Sequence, residues 1–247
     1  MTLLDWFTLL LPLFFAGVLL WRRRKSRERL GKTFGTWLDR GVPTEVAAGI
    51  AIGGFVMLGI FGVEWALDAI QVTGIGGPVG LWWAWLAFLM VAAMLEEILS
   101  RSFLLGGLVS VLGKAKWVAV VISALYFGLA HLGNPNASVV SVVGNALGGV
   151  MYAVAFLGSG RIWLAWGLHF SWNFFQAPVV GFPVSGLELP SLIQQTTTGS
   201  EWITGGAYGP EAGAVGMAGR FAVIALLFAW FKWRRPEKSW GELLRFE

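Results

Sequence analysis

The chain has 247 residues, of which 56% are hydrophobic and only 13% are charged. Its mean hydropathy of +0.69 is too high for a water-soluble globular domain, so the composition indicates a polytopic membrane protein. The net charge of +4 arises from basic blocks beside hydrophobic segments, which argues against a nucleic-acid partner. The chain has no cysteine, which excludes disulfides, thiolate metal ligands and a cysteine nucleophile.

Seven segments are apolar and about 20 residues long, which is the length of helix that spans the hydrocarbon core of a bilayer. They cover approximately residues 3–20, 46–70, 81–105, 117–133, 137–158, 162–180 and 213–233. Residues 102–116 either extend the third span or fold back as a re-entrant or extra half-span, so the number is seven or eight. The expected fold is all-α, a polytopic transmembrane helical bundle that forms a single integral membrane domain over residues 1–247.

The basic residues predict the orientation of the bundle. No basic residue precedes the first span and a dense basic block follows it, the reverse of a secretory signal peptide. With the N-terminus outside, 16 of the 18 Lys and Arg residues lie on the cytoplasmic side, since only Arg101 and Arg220 fall within spans. The positive-inside rule therefore predicts an N-terminus outside and a C-terminus in the cytoplasm.

The third span contains two adjacent glutamates, Glu96 and Glu97. Charged side chains at membrane depth are costly and usually serve a site. On a helix, Glu97 and Arg101 share a face at a spacing that suits an ion pair, whereas Glu96 is rotated by about 100°. We interpret Glu97 as neutralised and Glu96 as free for general acid or base chemistry. A structural ion pair with Glu96 facing water is the alternative.

Both histidines of the chain also fall in hydrophobic segments. His131 lies four residues after Phe127, and His169 lies four residues before Asn173, so each pair shares a helical face. Counting along the spans places Glu96 and His169 about 8 and 12 Å from the cytoplasmic edge, but His131 about 21 Å from it. We expect the fourth helix to begin outside the membrane and tilt, and the site to open toward the cytoplasmic half of the bilayer.

Other polar residues within the spans have structural interpretations. Arg220 is expected at a depth similar to that of Glu64 and Asp68 near the outer ends of their spans, so we predict that it pairs with one of them. Asn145 lies beside several glycines in the fifth span, which favours close helix packing over catalysis.

The polar residues of the spans fall into three motifs. They are Glu96-Glu97-Ile98-Leu99-Ser100-Arg101, then Phe127-Gly128-Leu129-Ala130-His131, then His169-Phe170-Ser171-Trp172-Asn173. In order and spacing they resemble the EExxxR, FxxxH and HxxxN motifs of the CPBP family, the CAAX-prenyl-protease-like and bacteriocin-processing intramembrane proteases also called Abi proteins. The resemblance covers a catalytic core of about residues 81–180.

The resemblance implies an intramembrane endopeptidase that acts on a membrane-associated, prenylated or leader-bearing peptide. It implies that Glu96 and His131 activate the attacking water and that His169 and Asn173 stabilise the oxyanion, with Glu97, Arg101 and Phe127 in support. The expected location is the cytoplasmic (plasma) membrane of a prokaryote, with the lipid bilayer and a peptide or protein substrate as partners.

No cofactor is firmly implied, because the sequence lacks the HExxH pattern that would make zinc persuasive. If zinc is bound, Glu96, His131 and His169 are its expected ligands. Two other functions are open: a non-proteolytic immunity or chaperone-like protein on the same scaffold, and a proton-coupled transporter that uses these residues as a proton relay.

Overall fold

A computed structural model describes residues 3–26, 28–77, 79–113 and 115–244, which are mostly helical. The elements are α1 (Leu3–Ser26), α2 (Leu30–Thr33), α3 (Val42–Ala66), β1 (Ile70–Ile75), α4 (Val79–Glu97), α5 (Gly106–Leu112), α6 (Lys116–Ala130), α7 (Val139–Ser159), α8 (Ile162–Phe174), β2 (Ile193–Thr197), α9 (Glu201–Thr204) and α10 (Ala214–Arg234). A first π-helical segment, Ile98–Leu105, joins α4 to α5, and a second, Phe175–Val179, extends α8.

Five helices in the described part of the chain are long and apolar enough to cross a membrane. They are Trp6–Arg24, Val42–Ala66, Gly80–Leu112, Val139–Ser159 and Ala214–Arg234. The fourth and sixth predicted spans correspond to shorter helices, α6 and α8, and the second π segment lengthens α8. The chain is therefore a polytopic helical membrane protein.

The third span does not turn back on itself. From Gly80 to Leu112 the chain is one continuous helix of 33 residues, because the first π segment connects α4 directly to α5. The alternative in which residues 102–116 extend the span is thus confirmed over residues 102–112, and Lys114 lies outside the described residues. Glu96 consequently lies near the middle of this helix, deeper than the sequence-based estimate placed it.

One feature departs from the expected all-α fold. Strands β1 and β2 pair antiparallel, with Ile70 opposite Thr197 and Ile75 opposite Ile193. The predicted second span ran to residue 70, but α3 ends at Ala66 because Asp68 adopts a left-handed backbone conformation with φ 52°. The β-branched residues that follow then pair with a segment more than 100 residues away, a contact that no local pattern reveals.

Close packing of α3 on α8 forms much of the core. A Cβ atom on Gly49 would lie 2.6 Å from the carbonyl oxygen of Leu164, and one on Gly167 would lie 2.7 Å from that of Val46. Only glycine permits such backbone approach, which is a common way for helices to associate within a membrane.

The helices alternate between two ends of the bundle. The basic end comprises residues 22–41, 113–116, 160–161 and 235–244, and the sheet end comprises residues 67–79, 131–138 and 180–213. At the basic end, Arg161 bonds to Glu45 at the start of α3, and Arg235 donates to the Gly158 carbonyl. At the sheet end, Asn134 donates to the Ser185 carbonyl. These contacts tie the turn before α8 to the start of α3 and to the segment after α10, and they tie the loop after α6 to the long loop before α10.

Candidate active site

The polar centre begins at the junction between α4 and the first π segment, a type of irregularity that is frequent at functional sites. Glu97 is fully buried there. Its Oε2 atom lies 3.2 Å from Nε of Arg101, and its Oε1 atom lies 2.9 Å from Nδ1 of His169. Arg101 also donates through Nη1 to Ser123 on α6, at 3.2 Å. Glu97 therefore links three helices and holds the imidazole of His169.

Glu96 faces away from this buried pair, and its side chain is 40% exposed. Its Oε2 atom lies 3.7 Å from Nε2 of His131 and 3.9 Å from Nε2 of His169. These separations exceed a direct hydrogen bond but allow one water molecule to contact a carboxylate oxygen and an imidazole nitrogen together. The expectation that one glutamate is neutralised while the other remains free thus agrees with the geometry.

Both imidazole rings are oriented through Nδ1. His131 follows the last residue of α6, and its Nδ1 atom lies 2.7 Å from the carbonyl oxygen of Phe127, one turn earlier. Because a carbonyl only accepts, this nitrogen carries the proton and donates. In His169 the same nitrogen faces the Glu97 carboxylate. The Nε2 atoms of both rings are left facing Glu96.

Aromatic side chains enclose the centre. Tyr152 of α7 stacks on His169 with ring centroids 4.4 Å apart and an interplanar angle of 20°. Phe127 meets the same imidazole edge-on at 5.8 Å, and the guanidinium of Arg101 lies over the Phe127 ring, 4.8 Å from its centroid. The sequence analysis did not identify Tyr152. The chain has only three tyrosines, and the position of this one inside the predicted span 137–158 was the available signal.

Glu96, His131, His169 and Asn173 line one cavity of about 420 Å³. One wall comes from helices and is largely apolar, with residues such as Leu9, Phe88 and Tyr126. Further lining residues come from sheet-end segments, among them Asn134, Ser185 and Glu211. The sequence-predicted set of four is thereby brought together, and each member comes from a different motif or a different turn of the same motif.

Residues 78–175 match the family described as Type II CAAX prenyl endopeptidase Rce1-like. This segment is an Rce1-like domain. It includes all three motifs and nearly coincides with the core predicted at residues 81–180. No curated protein and no solved structure matched the chain.

The structure bears on two expectations about position in the membrane. The sequence predicted an opening toward the cytoplasmic half, whereas the cavity lining includes the sheet-end residues Asn134, Ser185 and Leu187. Because the helix that carries Glu96 extends to Leu112, Glu96 and His131 lie about equally far from the basic end of their helices. His169 lies nearer to the basic end of its own helix, and the tilt expected of the fourth helix stays a prediction.

A second polar cluster lines the same cavity. Arg220 donates through Nη1 to the backbone carbonyl of Glu211 and through Nη2 to Oδ1 of Asn145, and its Nη2 atom lies 3.5 Å from Oε1 of Glu211. Asn145 donates in turn to the hydroxyl of Tyr208. The predicted pairing of Arg220 with Glu64 or Asp68 is therefore wrong, because Glu211, nine residues earlier at the end of the long sheet-end loop, folds back onto α10.

Asn145 serves both packing and polar contact. Its glycine neighbours do permit close approach, since a Cβ atom on Gly149 would lie 2.8 Å from Cα of Ala124. The amide itself bonds Arg220 and Tyr208 and lines the cavity. Sequence analysis identified the packing but not the network, because Glu211 and Tyr208 lie in a loop whose path has no local signature.

Glu96, His131 and His169 are the candidate zinc ligands. Their chemistry and orientation suit zinc, because histidine ligands usually bind through one nitrogen while the other donates to a carbonyl or carboxylate. Their spacing does not, since ligand atoms of tetrahedral zinc lie about 3.3 Å apart, closer than 3.7 and 3.9 Å. No trio of His, Asp or Glu in the described segments has the arrangement of a formed metal site.

Proposed function

We propose that this protein is an intramembrane endopeptidase that hydrolyses a peptide bond in a membrane-associated substrate, including prenylated or leader-bearing peptides. The main support is the convergence of Glu96, His131, His169 and Asn173 on one cavity within an Rce1-like domain. A carboxylate, two imidazoles and a carboxamide supply a base, an acid and hydrogen-bond donors, which together suffice for acyl transfer to water.

In the proposed reaction, Glu96 and Nε2 of His131 hold the attacking water between them. One of the two accepts a proton as the water oxygen attacks the scissile carbonyl carbon. Asn173 donates from its side-chain amide to the oxyanion that forms. When the tetrahedral intermediate collapses, the carbon–nitrogen bond breaks and the stored proton passes to the leaving amine, which regenerates the carboxylate–imidazole pair.

The role of His169 follows from its hydrogen bond to Glu97. Because Nδ1 donates to Glu97, Nε2 carries a proton only when the ring is an imidazolium. A hydrogen bond from Nε2 of His169 to the oxyanion therefore requires the doubly protonated ring. The buried Glu97 carboxylate orients the ring in the manner of the aspartate of a catalytic triad.

The test is cleavage by purified protein in liposomes. The substrates are a prenylated CaaX peptide and an unprenylated leader peptide, each analysed by mass spectrometry. We expect Glu96→Gln and His131→Ala to abolish fragment release while the unfolding midpoint is retained. Glu201→Gln, at the exposed first residue of α9, is the matched control and should cleave like the wild type. Full activity in Glu96→Gln would disprove the assigned base.

The same liposomes separate the alternative functions. Proton flux without peptide cleavage, lost in Glu96→Gln, would favour the proton-coupled transporter. Stable binding of an intact peptide, with neither cleavage nor flux, would favour the immunity or chaperone-like protein.

Metal dependence is tested in the same assay. The wide spacing of Glu96, His131 and His169 leads us to expect retained cleavage after incubation with EDTA or 1,10-phenanthroline. Loss of cleavage that is restored by zinc alone would instead assign these three side chains as ligands.

A further inference from the structure

The cavity of the Rce1-like domain is built against one end of the bundle. Beyond the four proposed catalytic residues, five of its lining residues belong to the loops of the sheet end. They are Asn134, Val184, Ser185, Leu187 and Glu211. The described residues of the basic end, within 22–41, 113–116, 160–161 and 235–244, contribute none of the lining residues. The cavity therefore belongs to the half of the bundle that faces away from the basic blocks.

The sheet-end loops are fixed by several polar contacts. Ser185 donates to Oε2 of Glu211 through both its backbone nitrogen, at 2.6 Å, and its hydroxyl, at 2.8 Å. Asn134 donates to the carbonyl of Ser185, and the backbone nitrogen of Gly186 donates to the carbonyl of Tyr208. These bonds join the loop after α6 to the long loop before α10, so the wall of the cavity is a folded surface rather than a loose cover.

Buried side chains lie between Glu96 and the basic end. Glu97, Arg101 and Ser123 are fully buried and are joined by the contacts described above. Further along the same helix toward the basic end, Leu104 and Leu105 have no exposed surface. A peptide that approached Glu96 from the basic end would have to displace these side chains.

The charges of the two ends assign them to opposite sides of a membrane. Among the residues that the structure describes, every Lys and Arg except Arg101 and Arg220 lies at the basic end or in the helix termini beside it. The sheet-end segments contain no Lys or Arg, and they carry exposed acidic residues at Asp68, Glu188 and Glu201. Lys and Arg in short loops remain in the cytoplasm, so the sheet end is extracytoplasmic.

We propose that the substrate reaches Glu96 from the extracytoplasmic side. This inference rests on the proposed peptidase function and narrows its substrate class. The substrate is a peptide segment exposed outside the cytoplasm, either the outer flank of a membrane-anchored protein or a peptide that has been exported. A prenylated tail held at the cytoplasmic surface would be separated from Glu96 by the buried side chains of Glu97, Arg101 and Leu104.

The absence of native cysteine makes single-cysteine labelling a direct test. Ala130→Cys places a thiol in the cavity beside His131. Glu201→Cys marks the exposed sheet end, and Trp240→Cys marks the exposed basic end. Intact cells are treated with a small membrane-impermeant thiosulfonate, and the labelling is repeated after permeabilisation.

We expect labelling of Ala130→Cys and Glu201→Cys in intact cells, and labelling of Trp240→Cys only after permeabilisation. Labelling of Ala130→Cys only after permeabilisation would overturn the proposal. Failure to label Ala130→Cys under both conditions, in protein that retains the wild-type unfolding midpoint, would also overturn it, because the cavity would then be closed to water. Labelling does not depend on peptidase activity. The labelling test can therefore contradict extracytoplasmic access while the peptidase function stands, and it can support that access even if the protein cleaves no peptide.

A second experiment uses activity. Proteoliposomes are prepared, and the fraction of protein in each orientation is measured by labelling Glu201→Cys. A soluble leader-type peptide is then supplied either outside or inside the vesicles. We expect cleavage to scale with the fraction of molecules whose sheet end faces the peptide. Cleavage that scales with exposure of the basic end would contradict the proposal, whereas cleavage on neither side would count against the peptidase function alone.

Discussion

The imidazole of His169 contacts the carboxylate of Glu97 through Nδ1 and Oε1, which lie 2.9 Å apart. The contact is buried and is completed by Arg101 on the other carboxylate oxygen. A ring held in this way presents a defined nitrogen to the cavity, and its orientation does not depend on a bound substrate. Glu97 thus orients the ring of His169 beside Glu96 in the cavity.

Glu97→Gln tests whether the Glu97 carboxylate orients the ring of His169. The amide keeps the shape of the side chain but leaves Arg101 without a counter-charge in a fully buried position. We expect a loss of about 3–5 kcal/mol in the free energy of unfolding. Since the ring of His169 also loses its charged acceptor, we expect kcat to fall roughly 100-fold. SDS-induced unfolding in micelles measures the first effect, and peptide cleavage per folded molecule measures the second.

Glu45→Gln is the matched control for that variant. Glu45 bonds Arg161 through both oxygens, at 2.8 and 3.0 Å, and lies at the basic end, away from the cavity. Its replacement should reduce stability, by less than the Glu97 change because Asp39 still pairs with Arg161 at 2.7 Å. Cleavage per folded molecule should be unchanged. An equal loss of activity in both variants would show that Glu97 acts only on stability.

The spans that carry the site could be predicted because their signals are local. Glu96, Glu97 and Arg101 indicate a functional site because they are charged residues in an apolar segment. The four-residue spacing in each histidine motif places both of its residues on one helical face. Neither signal depends on distant parts of the chain. The same reasoning failed for Arg220, because its partner Glu211 lies in a loop whose folded path is set by tertiary contacts.

Tyr152 provides a test of the aromatic enclosure. Its ring stacks on His169 and lies beneath the guanidinium of Arg101, 5.6 Å from the ring centroid. Tyr152→Phe keeps the ring, so we expect nearly wild-type cleavage. Tyr152→Leu removes the stack and leaves a cavity, which should cost about 1–3 kcal/mol in stability. It should also lower kcat more than it changes KM, because the position of His169 is disturbed. Identical kinetics in the two variants would refute this role.

Gly144→Ala tests the close contact between α7 and the sheet-end loop. The added Cβ atom would lie 1.9 Å from the carbonyl oxygen of Glu211 and 3.0 Å from Nη1 of Arg220. A backbone carbonyl can move away only if the loop shifts, so we expect a destabilisation of about 1–3 kcal/mol and slower peptide cleavage. Gly59→Ala is the control, since no atom lies within 4 Å of its Cβ position in α3. There we expect a stabilisation of about 0.5–1 kcal/mol. Thermal unfolding in detergent distinguishes the two variants.

Two buried glutamates near the sheet end should lose very different amounts of stability on the same substitution. Glu211 accepts two bonds from Ser185 and pairs with Arg220, so Glu211→Gln should lower the free energy of unfolding by about 3–5 kcal/mol. Glu64 has no exposed surface, and neither of its carboxyl oxygens has a hydrogen-bond partner among the described residues. Glu64→Gln therefore breaks no bond and should change stability by less than about 1 kcal/mol.

The order of these two effects decides which carboxylate serves Arg220. Pairing with Glu64, as the depth of the spans suggested, requires that Glu64→Gln be the damaging change and that Glu211→Gln be mild. A double-mutant cycle with Arg220→Met sharpens the comparison, because coupling energy appears only between residues that interact. We expect clear coupling of Arg220 to Glu211 and none to Glu64. SDS-induced unfolding of the three single and two double variants, measured at fixed lipid and detergent composition, gives both coupling energies directly.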